Sequence, residues 1–568
     1  DVASNTYLYS IRAGIGIDPR RVRVDATKSR VFVSCYASNE IVLIDGRTDA
    51  VIESVVPRKF PTGVAIDGKT GKMWALSSGY TVRFDALASQ RSSINSYQVT
   101  PPPGGTVRPA HYFAEGTTRA GFTTYLTLYS PDIGQNVDVT YAVGPGQGPP
   151  VTRTYYVPGR SRVTVNVNDE IGPDKDVSIL AVSRGLKNFF AERVMYFKDV
   201  VIGASDGTAS SGSSTFWTGL GDAHTEYFFP EGTTRPGFRE WLVMVSPYSD
   251  QTVAVTYMPG PGQGSPVVKN YFLPKQTRVT VSVNDEIGPG KDVSMKVVSL
   301  QSKPFFAERP MYYDASAVGG IPASGGHNAS GIAPENITDV VFPEGTTRNG
   351  FRTFYTLVSD VTQTVEGTFV TDNQGGPYIQ QYVLPAKTRV TIELESVTGP
   401  EKDVSARFRS LDNLPFFAER PMYFVNVVNG ASGATVGTGQ WTYSDWRVQR
   451  RSDYYLAEGT NRKIIEGLSV IGGAQAYLLM SNPDATNTVT VEIDAANGKF
   501  IQQEVQVPKG RRVTVDLNFP VDFNLGPDTD YSIRVTSHIG EPVYLERAIY
   551  FNNFVGTRGA TLSQGTHN

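Results

Sequence analysis

One aromatic motif with a Glu-Arg pair at its centre returns four times along the chain. It reads NFFAERVMYF from Asn188, PFFAERPMYY from Pro304, PFFAERPMYF from Pro415 and, in a shorter form, VYLERAIYF from Val543. A second motif shares this period and reads YFAEGTTRAGF, FFPEGTTRPGF, VFPEGTTRNGF and YLAEGTNR. Its glutamates are 116, 113 and 114 residues apart, at Glu115, Glu231, Glu344 and Glu458. A period of this length is that of a small domain, so the sequence predicts four tandem copies of one domain.

A third motif lies between the other two in each copy. It reads SRVTVNVNDEIGPDKDVS from Ser161, TRVTVSVNDEIGPGKDVS from Thr277 and TRVTIELESVTGPEKDVS from Thr388. The fourth copy, from Arg511, reads RRVTVDLNFPVDFNLGPDTDYS and carries an insertion in the loop. The segment TRVTVSV alternates polar and apolar residues, which predicts a strand with one face in a core and the other in water.

The rest of each copy consists of short runs of β-branched and aromatic residues between Gly- and Pro-rich turns. The chain contains 56 Gly, 36 Pro and 29 Tyr, which favours strands joined by turns over helices. We therefore predict an all-β protein with four antiparallel, immunoglobulin-like β-sandwiches at residues 111–200, 227–315, 340–426 and 453–553. The intervals 198–226, 314–339 and 425–452 are rich in Gly, Ala and Ser, which predicts flexible linkers, with extra edge strands as the alternative.

The three motifs together resemble repeats of large secreted or cell-surface bacterial proteins, a poorly characterised family described as repetitive surface proteins of unknown function. The resemblance covers about residues 111–553. It implies an extracellular or cell-surface location, and it implies no known chemistry.

Residues 1–100 have a different pattern. VRVDATKSRVFVSCYASNEIVLIDGRTDAVIESVV from Val22 and PTGVAIDGKTGKMWAL from Pro61 resemble consecutive blades of a seven-bladed β-propeller of the surface-antigen or NHL/YVTN type. About two blades fit into this segment, whereas a closed propeller needs at least about four. Three explanations remain open: a piece of a longer precursor, a small open sheet domain with exposed edges, or completion by a neighbouring subunit. The segment TPPPGGTVRPA from Thr100 is predicted to be a stiff linker.

The Glu-Arg motif allows two interpretations. In the first, Glu308 and Arg309 form a carboxylate site with Glu231, Arg235 and Arg278 of the same copy. Two carboxylates at a suitable separation can hydrolyse a glycosidic bond. Alternatively, these residues form structural ion pairs that brace each sandwich, because a buried charge needs a partner. Four copies of an active site in one chain would be unusual, so we favour bracing. The predicted bracing residues are Glu115, Glu192, Arg193, Glu231, Arg278, Glu308, Arg309, Glu344, Glu419, Arg420, Glu458, Glu546 and Arg547.

Other chemistry has less support, and the sequence predicts no catalytic residue, metal site or cofactor. The five histidines do not occupy equivalent positions, and no Cys or His cluster has zinc spacing. The loop NDEIGPDKD from Asn168 could bind Ca²⁺, but its third copy loses two oxygens, so an ordinary acidic turn is favoured. Asn328 and Asn336 fit the N-glycosylation pattern. Cys35 is the only cysteine, which excludes an intrachain disulfide and predicts a buried, inert thiol.

The remaining expectations concern partners and function. A net charge of −3 argues against nucleic acid, and no apolar run is long enough to span a membrane. The favoured function is a non-enzymatic extracellular structural subunit of a filament, sheath or S-layer, assembled with its own copies through edge-strand or heterologous contacts. The alternative is an adhesin that binds cell-surface glycans, although its tryptophans do not occupy equivalent positions: Trp217, Trp241, Trp441 and Trp446. An enzyme is the third and least supported class.

Overall fold

The computed structural model of the 568-residue chain divides into two compact units. The N-terminal unit comprises Asp1–Thr106 with Asp445–Arg450, and the repeat unit comprises Val107–Ser444 with Arg451–Asn568. In the first, seven strands are described. In the second, residues 108–567 are described, except 186, 216–223, 315–323, 334–336, 372–376, 442–452, 467–468, 519–522, 524, 526–527 and 540–542.

The described strands of the N-terminal unit form two antiparallel sheets in sequence order. The first sheet contains β1 (Pro19–Asp25), β2 (Arg30–Cys35), β3 (Glu40–Asp45) and β4 (Val51–Val55). The second contains β5 (Pro61–Asp67), β6 (Lys72–Ser77) and β7 (Tyr80–Asp85). Phe32, Val33 and Ile44 are buried. The Cys35 side chain lies outside the described residues.

Repeats 1 and 2 share one order of elements. Repeat 1 contains β8 (Ala110–Phe113), β9 (Phe122–Ser130), β10 (Gln135–Val143), β11 (Val151–Val157), β12 (Ser161–Asn166), helix α1 (Val167–Ile171), β13 (Val177–Ser183), β14 (Phe190–Phe197), a 3₁₀ turn (Val201–Gly203), β15 (Asp206–Ser210) and β16 (Ser213–Thr215). Repeat 2 contains β17 (Glu226–Phe229), β18 (Phe238–Val245), β19 (Gln251–Pro259), β20 (Val267–Leu273), β21 (Arg278–Ser282), α2 (Val283–Ile287), β22 (Val293–Ser299), β23 (Phe306–Tyr313) and β24 (Gly325–Ser330).

Repeat 3 keeps this order, and repeat 4 differs from it. Repeat 3 contains β25 (Asp339–Phe342), β26 (Phe351–Val358), β27 (Gln363–Thr371), β28 (Tyr378–Leu384), β29 (Val390–Glu393), α3 (Leu394–Thr398), β30 (Val404–Ser410), β31 (Phe417–Phe424), a 3₁₀ turn (Val428–Gly430), β32 (Gly433–Gly437) and β33 (Gln440–Trp441). Repeat 4 contains β34 (Asp453–Leu456), β35 (Thr460–Glu466), β36 (Ser469–Asn482), β37 (Asn487–Ala495), β38 (Phe500–Val507), β39 (Arg511–Asp516), β40 (Thr529–Ser537), β41 (Tyr544–Phe554), β42 (Thr557–Gln564) and β43 (Thr566–His567).

Each of the first three repeats is a sandwich of two antiparallel sheets. In repeat 1 the sheets have the strand orders β11-β10-β13-β8-β16 and β12-β9-β14-β15. Their facing side chains form one buried core, to which Leu126 contributes from one sheet and Val139 and Ile179 from the other. In repeat 4 the extra strand β35 pairs with both β36 and β40, so the two sheets merge into one ten-stranded sheet.

The strand order corrects the expectation of an immunoglobulin-like topology. An immunoglobulin domain places its first, second, fifth and fourth strands in one sheet. In repeat 2 the first strand, β17, instead pairs with the sixth, β22, and the second strand, β18, lies between the fifth and the seventh. Alternation along a strand indicates which residues face a core, but it does not specify the strand with which it pairs.

The described parts of the Gly-, Ala- and Ser-rich intervals form extra edge strands, which was the alternative prediction, and not flexible linkers. β15, β24, β32 and β42 each extend the second sheet of their repeat, beyond the predicted domain ends at residues 200, 315, 426 and 553. Every residue of β15 and β32 is buried. These four strands, one from each repeat, contact one another and are called the central strands below. Within the described residues, no helix is long and apolar enough to cross a bilayer.

Candidate functional site: the interfaces between repeats

The Glu-Arg motif lies where one repeat meets the next. Its two charged residues are neighbours on a strand, so their side chains point to opposite faces. Arg309 of repeat 2 points towards repeat 3, where its Nη2 lies 2.8 Å from Oε2 of Glu419. Glu308 points towards repeat 1, where its Oε1 lies 3.7 Å from Nη2 of Arg193. One motif therefore contributes to two interfaces.

A second ion pair lies at each interface. Between repeats 2 and 3, Oε2 of Glu231 lies 2.7 Å from Nη2 of Arg389. The same guanidinium donates to the main-chain carbonyl of Gly232. This arginine belongs to the TRVTI copy of the third motif, and the glutamate belongs to the EGTT motif, so two distant sequence motifs meet across the interface.

The same two pairs recur at all four interfaces, and the fourth interface joins repeat 4 back to repeat 1. The repeat unit is therefore a closed ring. The eight pairs are Glu115–Arg278 and Arg193–Glu308, Glu231–Arg389 and Arg309–Glu419, Glu344–Arg512 and Arg420–Glu546, and Glu458–Arg162 and Arg547–Glu192.

The carboxylates of the Glu-Arg motifs also accept hydrogen bonds from the main chain of the preceding repeat. Oε2 of Glu308 accepts from the N–H of Glu115 at 2.6 Å, and Oε2 of Glu419 accepts from the N–H of Glu231 at 3.0 Å. Oε1 of Glu192 accepts from the N–H of Ala457 at 3.0 Å, across the interface that closes the ring. Each carboxylate thus gains a donor in addition to its arginine, as a buried charge requires.

Aromatic residues of the same motif seal these interfaces. Tyr312 packs edge-on against Phe122 and Phe197 of repeat 1, with ring centroids 6.0 and 5.1 Å apart. The equivalent Tyr196 packs in the same way against Phe551 of repeat 4, at 5.3 Å. The aromatic residues that surround Glu and Arg therefore exclude water from the ion pairs.

Burial changes the acid–base behaviour of these carboxyl groups. Burial raises the pKa of Glu419 to about 7, although Arg309 acts in the opposite direction. Burial likewise raises the pKa of Glu115 to about 6, against the opposing effect of Arg278. Glu240, in β18 beside the interface of repeats 2 and 3, is also affected. Burial raises its pKa to about 8, with Arg309 opposing the shift and Glu231 adding to it.

The structure places all thirteen predicted bracing residues in these ion pairs, but it corrects where the bracing acts. We expected pairs within a repeat, and every pair instead joins two repeats. Three further arginines of these pairs, Arg162, Arg389 and Arg512, were not predicted. The recurrence of the third motif could have indicated them, because they are equivalent to Arg278. Glu240 was not predicted either, because no motif marks it: repeats 1 and 3 have Thr124 and Thr353 at this position, and repeat 4 has Ala476.

The geometry gives no support to a hydrolytic pair at Glu308 and Glu231. Their side chains are 4% and 3% exposed, and each faces an arginine of another repeat. A sugar could not reach either carboxylate without separating the repeats. Arg235, another residue of that hypothesis, lies on the surface and pairs with Asp292 at 2.6 Å.

The other candidate sites of the sequence have structural roles where they are described. Asp176, in the loop considered for calcium, pairs with Arg119 at 2.6 Å. Among the described residues no group of three or more His, Cys, Asp and Glu side chains could hold a metal ion. Asn328 is buried, and its amide donates to Glu308 at 3.1 Å, which argues against its glycosylation in the folded chain. Asn336 lies outside the described residues.

The tryptophans considered for glycan binding are described in one case only. Trp241 is half-buried and packs edge-on against Tyr312, with ring centroids 5.6 Å apart. Trp217, Trp446 and the side chain of Trp441 lie outside the described residues.

Each repeat has an edge strand that pairs with a neighbour on one side only, among the described strands. These strands are β11, β20, β28 and β38, each the last strand of its sheet. On β28, Ile379 and Val383 are 60% and 63% exposed, and on β20 Val268 and Phe272 are 62% and 59% exposed. A groove of about 570 Å³ lies between repeats 3 and 4 and is lined by Pro377, Arg407 and Arg409 of repeat 3 and by Pro483 of repeat 4.

Comparisons with known proteins identify no family. No family model matches the chain, and no curated protein matches it. Among solved structures, it is similar to the Thermotoga maritima 1070 protein at 16% identity, over 20% of this chain and 97% of that one, with a TM-score of 0.17. For dimeric latent PorU from Porphyromonas gingivalis, the identity is 10%, over 66% of this chain and 31% of that one, with a TM-score of 0.13. For a tetra-tandem repeat in the extending region of a large adhesion protein, the identity is 11%, over 77% of this chain and 92% of that one, with a TM-score of 0.09. These TM-scores are too low to carry an argument.

Proposed function

We propose that this chain is an extracellular structural subunit, which assembles with its own copies into a filament, sheath or surface layer and has no catalytic role. The observation that carries the proposal is the contrast between the buried and the exposed parts of the ring. The repeated charged residues are used between repeats, whereas four edge strands have one side without a strand partner among the described residues. The extracellular location rests on the resemblance of the repeats to those of bacterial surface proteins.

The edge strand β28 is the best candidate for the contact. An edge strand presents unpaired N–H and C=O groups, and natural proteins usually protect it with charges or proline. The sequence of β28, YIQQYVL, contains neither. Ile379 and Val383 are exposed and lie an even number of positions apart, so their side chains lie on the same face of the sheet. A strand added from a second copy could cover both side chains.

The first test is electron microscopy of the native material together with light scattering of the purified chain. The proposal expects filaments or sheets, and concentration-dependent growth of the scattering mass beyond the 61.8 kDa of one chain. A chain that stays monomeric at all concentrations, with no ordered native assembly, would exclude the proposal.

A pair of variants locates the contact. The double variant Ile379→Lys/Val383→Lys places two charges on β28, and it should abolish assembly without unfolding the ring, because both side chains are exposed. The matched control is Gln502→Lys/Gln506→Lys, which changes the equivalent positions of β38 in repeat 4. Assembly should survive in the control. Equal loss in both variants would indicate an effect of charge alone.

We propose further that the N-terminal unit is propeller-like. Its support is the sequence order of the strands, which form a four-stranded antiparallel sheet followed by a three-stranded one. Propeller blades are four-stranded antiparallel sheets, so this order fits one blade and most of a second.

A further inference from the structure

The central strands meet in a layer where the four repeats are chemically unequal. The strand register identifies the equivalent residue of each central strand. It is the residue that lies opposite the last aromatic residue of the Glu-Arg motif in the same repeat. Phe197, Tyr313, Phe424 and Phe551 pair in this way with Asp206, Gly325, Gly433 and Gly559. Three repeats therefore have glycine where repeat 1 has aspartate.

The carboxylate of Asp206 is completely buried and accepts four main-chain hydrogen bonds. Oδ2 accepts from the N–H of Ala434 at 2.7 Å and of Gly326 at 3.2 Å. Oδ1 accepts from the N–H of Gly207 at 2.7 Å and of Ala560 at 3.0 Å. Each repeat contributes one donor, and in each repeat the donor is the residue that follows the aspartate or the equivalent glycine.

The number of donors matches the chemistry of the acceptor. A carboxylate has two oxygens with about four lone-pair positions, so a single carboxylate can satisfy all four N–H groups. Burial raises the pKa of Asp206, and the four N–H groups act in the opposite direction. The four donors together resemble the main-chain nests that bind anions.

Only one carboxylate fits into this layer. A Cβ atom built on Gly325, Gly433 or Gly559 would meet the carboxylate of Asp206 itself. None of the three glycines has a left-handed φ, so their backbone conformation does not require glycine. Space around the carboxylate, rather than backbone geometry, is what favours glycine in repeats 2, 3 and 4.

We infer that the centre of the ring is an anion-binding site built from four main-chain N–H groups, one from each repeat, and that Asp206 is its built-in carboxylate ligand. The site accepts one monovalent carboxylate. By binding to donors of all four repeats at once, Asp206 links the first repeat to the three others. The ring therefore needs aspartate at this position in one repeat and glycine at the equivalent position in the other three.

The decisive experiment moves the carboxylate from one repeat to another in the full chain. Asp206→Gly removes the ligand and should lower the Tm by at least about 2 °C. Gly433→Asp alone adds a second carboxylate to an occupied site and should also lower the Tm. The double variant Asp206→Gly/Gly433→Asp supplies one carboxylate from repeat 3 and should recover most of the loss. Gly433→Asp should therefore lower the Tm of the wild type and raise the Tm of Asp206→Gly. A lower Tm in both proteins would overturn the inference.

Chemical rescue supplies an independent measurement. Sodium formate should raise the Tm of Asp206→Gly in a saturable way, because formate can occupy the vacated position. It should not do so for the wild type or for Asp206→Asn, whose amide fills the site and adds donors where donors already converge. If formate shifts all three proteins equally, its effect is a general salt effect and the site does not bind anions. If Asp206→Gly is insoluble, its yield on expression with and without formate and the Tm of the double variant still decide the question.

Discussion

Each of the first three repeats uses arginine and a carboxylate in two different regions, the buried interface and the exposed turn. At the turn, Arg235 and Asp292 lie 2.6 Å apart, and the arginine side chain is 56% exposed. At the interface, Arg309 and Glu419 lie 2.8 Å apart, and neither side chain is exposed. The distances are nearly equal, so distance does not distinguish the two pairs. Burial does, because water screens the first pair and cannot replace either partner of the second.

The comparison also explains why the two sets have different partners. The turn pairs join residues of one repeat, and the same geometry recurs as Arg119–Asp176 and Arg348–Asp403. The interface pairs join residues of two repeats, so they form only when neighbouring repeats are packed together in the ring. A repeat removed from the ring would keep its turn pair and lose the partner of each of its interface charges.

The largest expected effect comes from breaking a buried pair on one side. Arg309→Met leaves the Glu419 carboxylate buried without its cation and should cost about 3–5 kcal/mol of unfolding free energy, measured by urea denaturation at pH 8. Because burial raises the pKa of Glu419 to about 7, this carboxylate can take up a proton, and the cost should be smaller at pH 5. The double variant Arg309→Met/Glu419→Met should recover most of the loss. A cost at pH 8 no greater than that of a surface variant would contradict the assignment.

A second effect should appear in the pH dependence of stability. The pKa of Glu240 rises from 4.5 to about 8 on burial, so between these values the folded chain binds a proton that the unfolded chain does not. Glu240 therefore makes stability fall as pH rises from about 4.5 to about 8. Since one pKa unit corresponds to about 1.4 kcal/mol, the decrease over this range should be about 5 kcal/mol.

Glu240→Thr sharpens this prediction, because the chain already carries threonine at the equivalent positions of repeats 1 and 3. Thr124 donates to the carbonyl of Thr117 at 2.6 Å, and Thr353 donates to that of Thr346 at 2.7 Å. The variant should be more stable than the wild type at pH 8, and the difference should shrink towards pH 5. A difference in Tm that does not vary with pH would show that Glu240 does not titrate in this range.

The smallest effect belongs to the exposed pair. Arg235→Ala removes the partner of Asp292 at the surface and should cost less than about 1 kcal/mol, since the arginine side chain is 56% exposed and water screens the pair. The cost should decrease further in 1 M salt, where charges are screened over about 3 Å. Comparison with Arg309→Met in the same buffer tests the contrast directly, and similar costs for the two variants would refute it.

The local features of the sequence were sufficient to predict much of the local structure. The alternation in TRVTVSV predicted a strand, and β21 covers Arg278–Ser282. The recurrence of the motifs predicted tandem repeats, and it also selected the charged residues that need partners. The linker prediction for the Gly- and Ala-rich intervals was wrong for β15 and β32, because small residues there allow strands to approach closely rather than move freely.

By itself, the sequence determined that the chain is all-β, that it contains repeats, and that Glu and Arg recur at positions where they must be paired. Only the tertiary structure decided that Glu308 pairs with Arg193 of the preceding repeat rather than with a residue of its own. It alone revealed that repeat 4 closes onto repeat 1 and that Asp206, which no motif marks, binds all four repeats. The physical reason is range: alternation and turn chemistry act over a few residues, whereas the choice of partner across an interface depends on how whole domains pack.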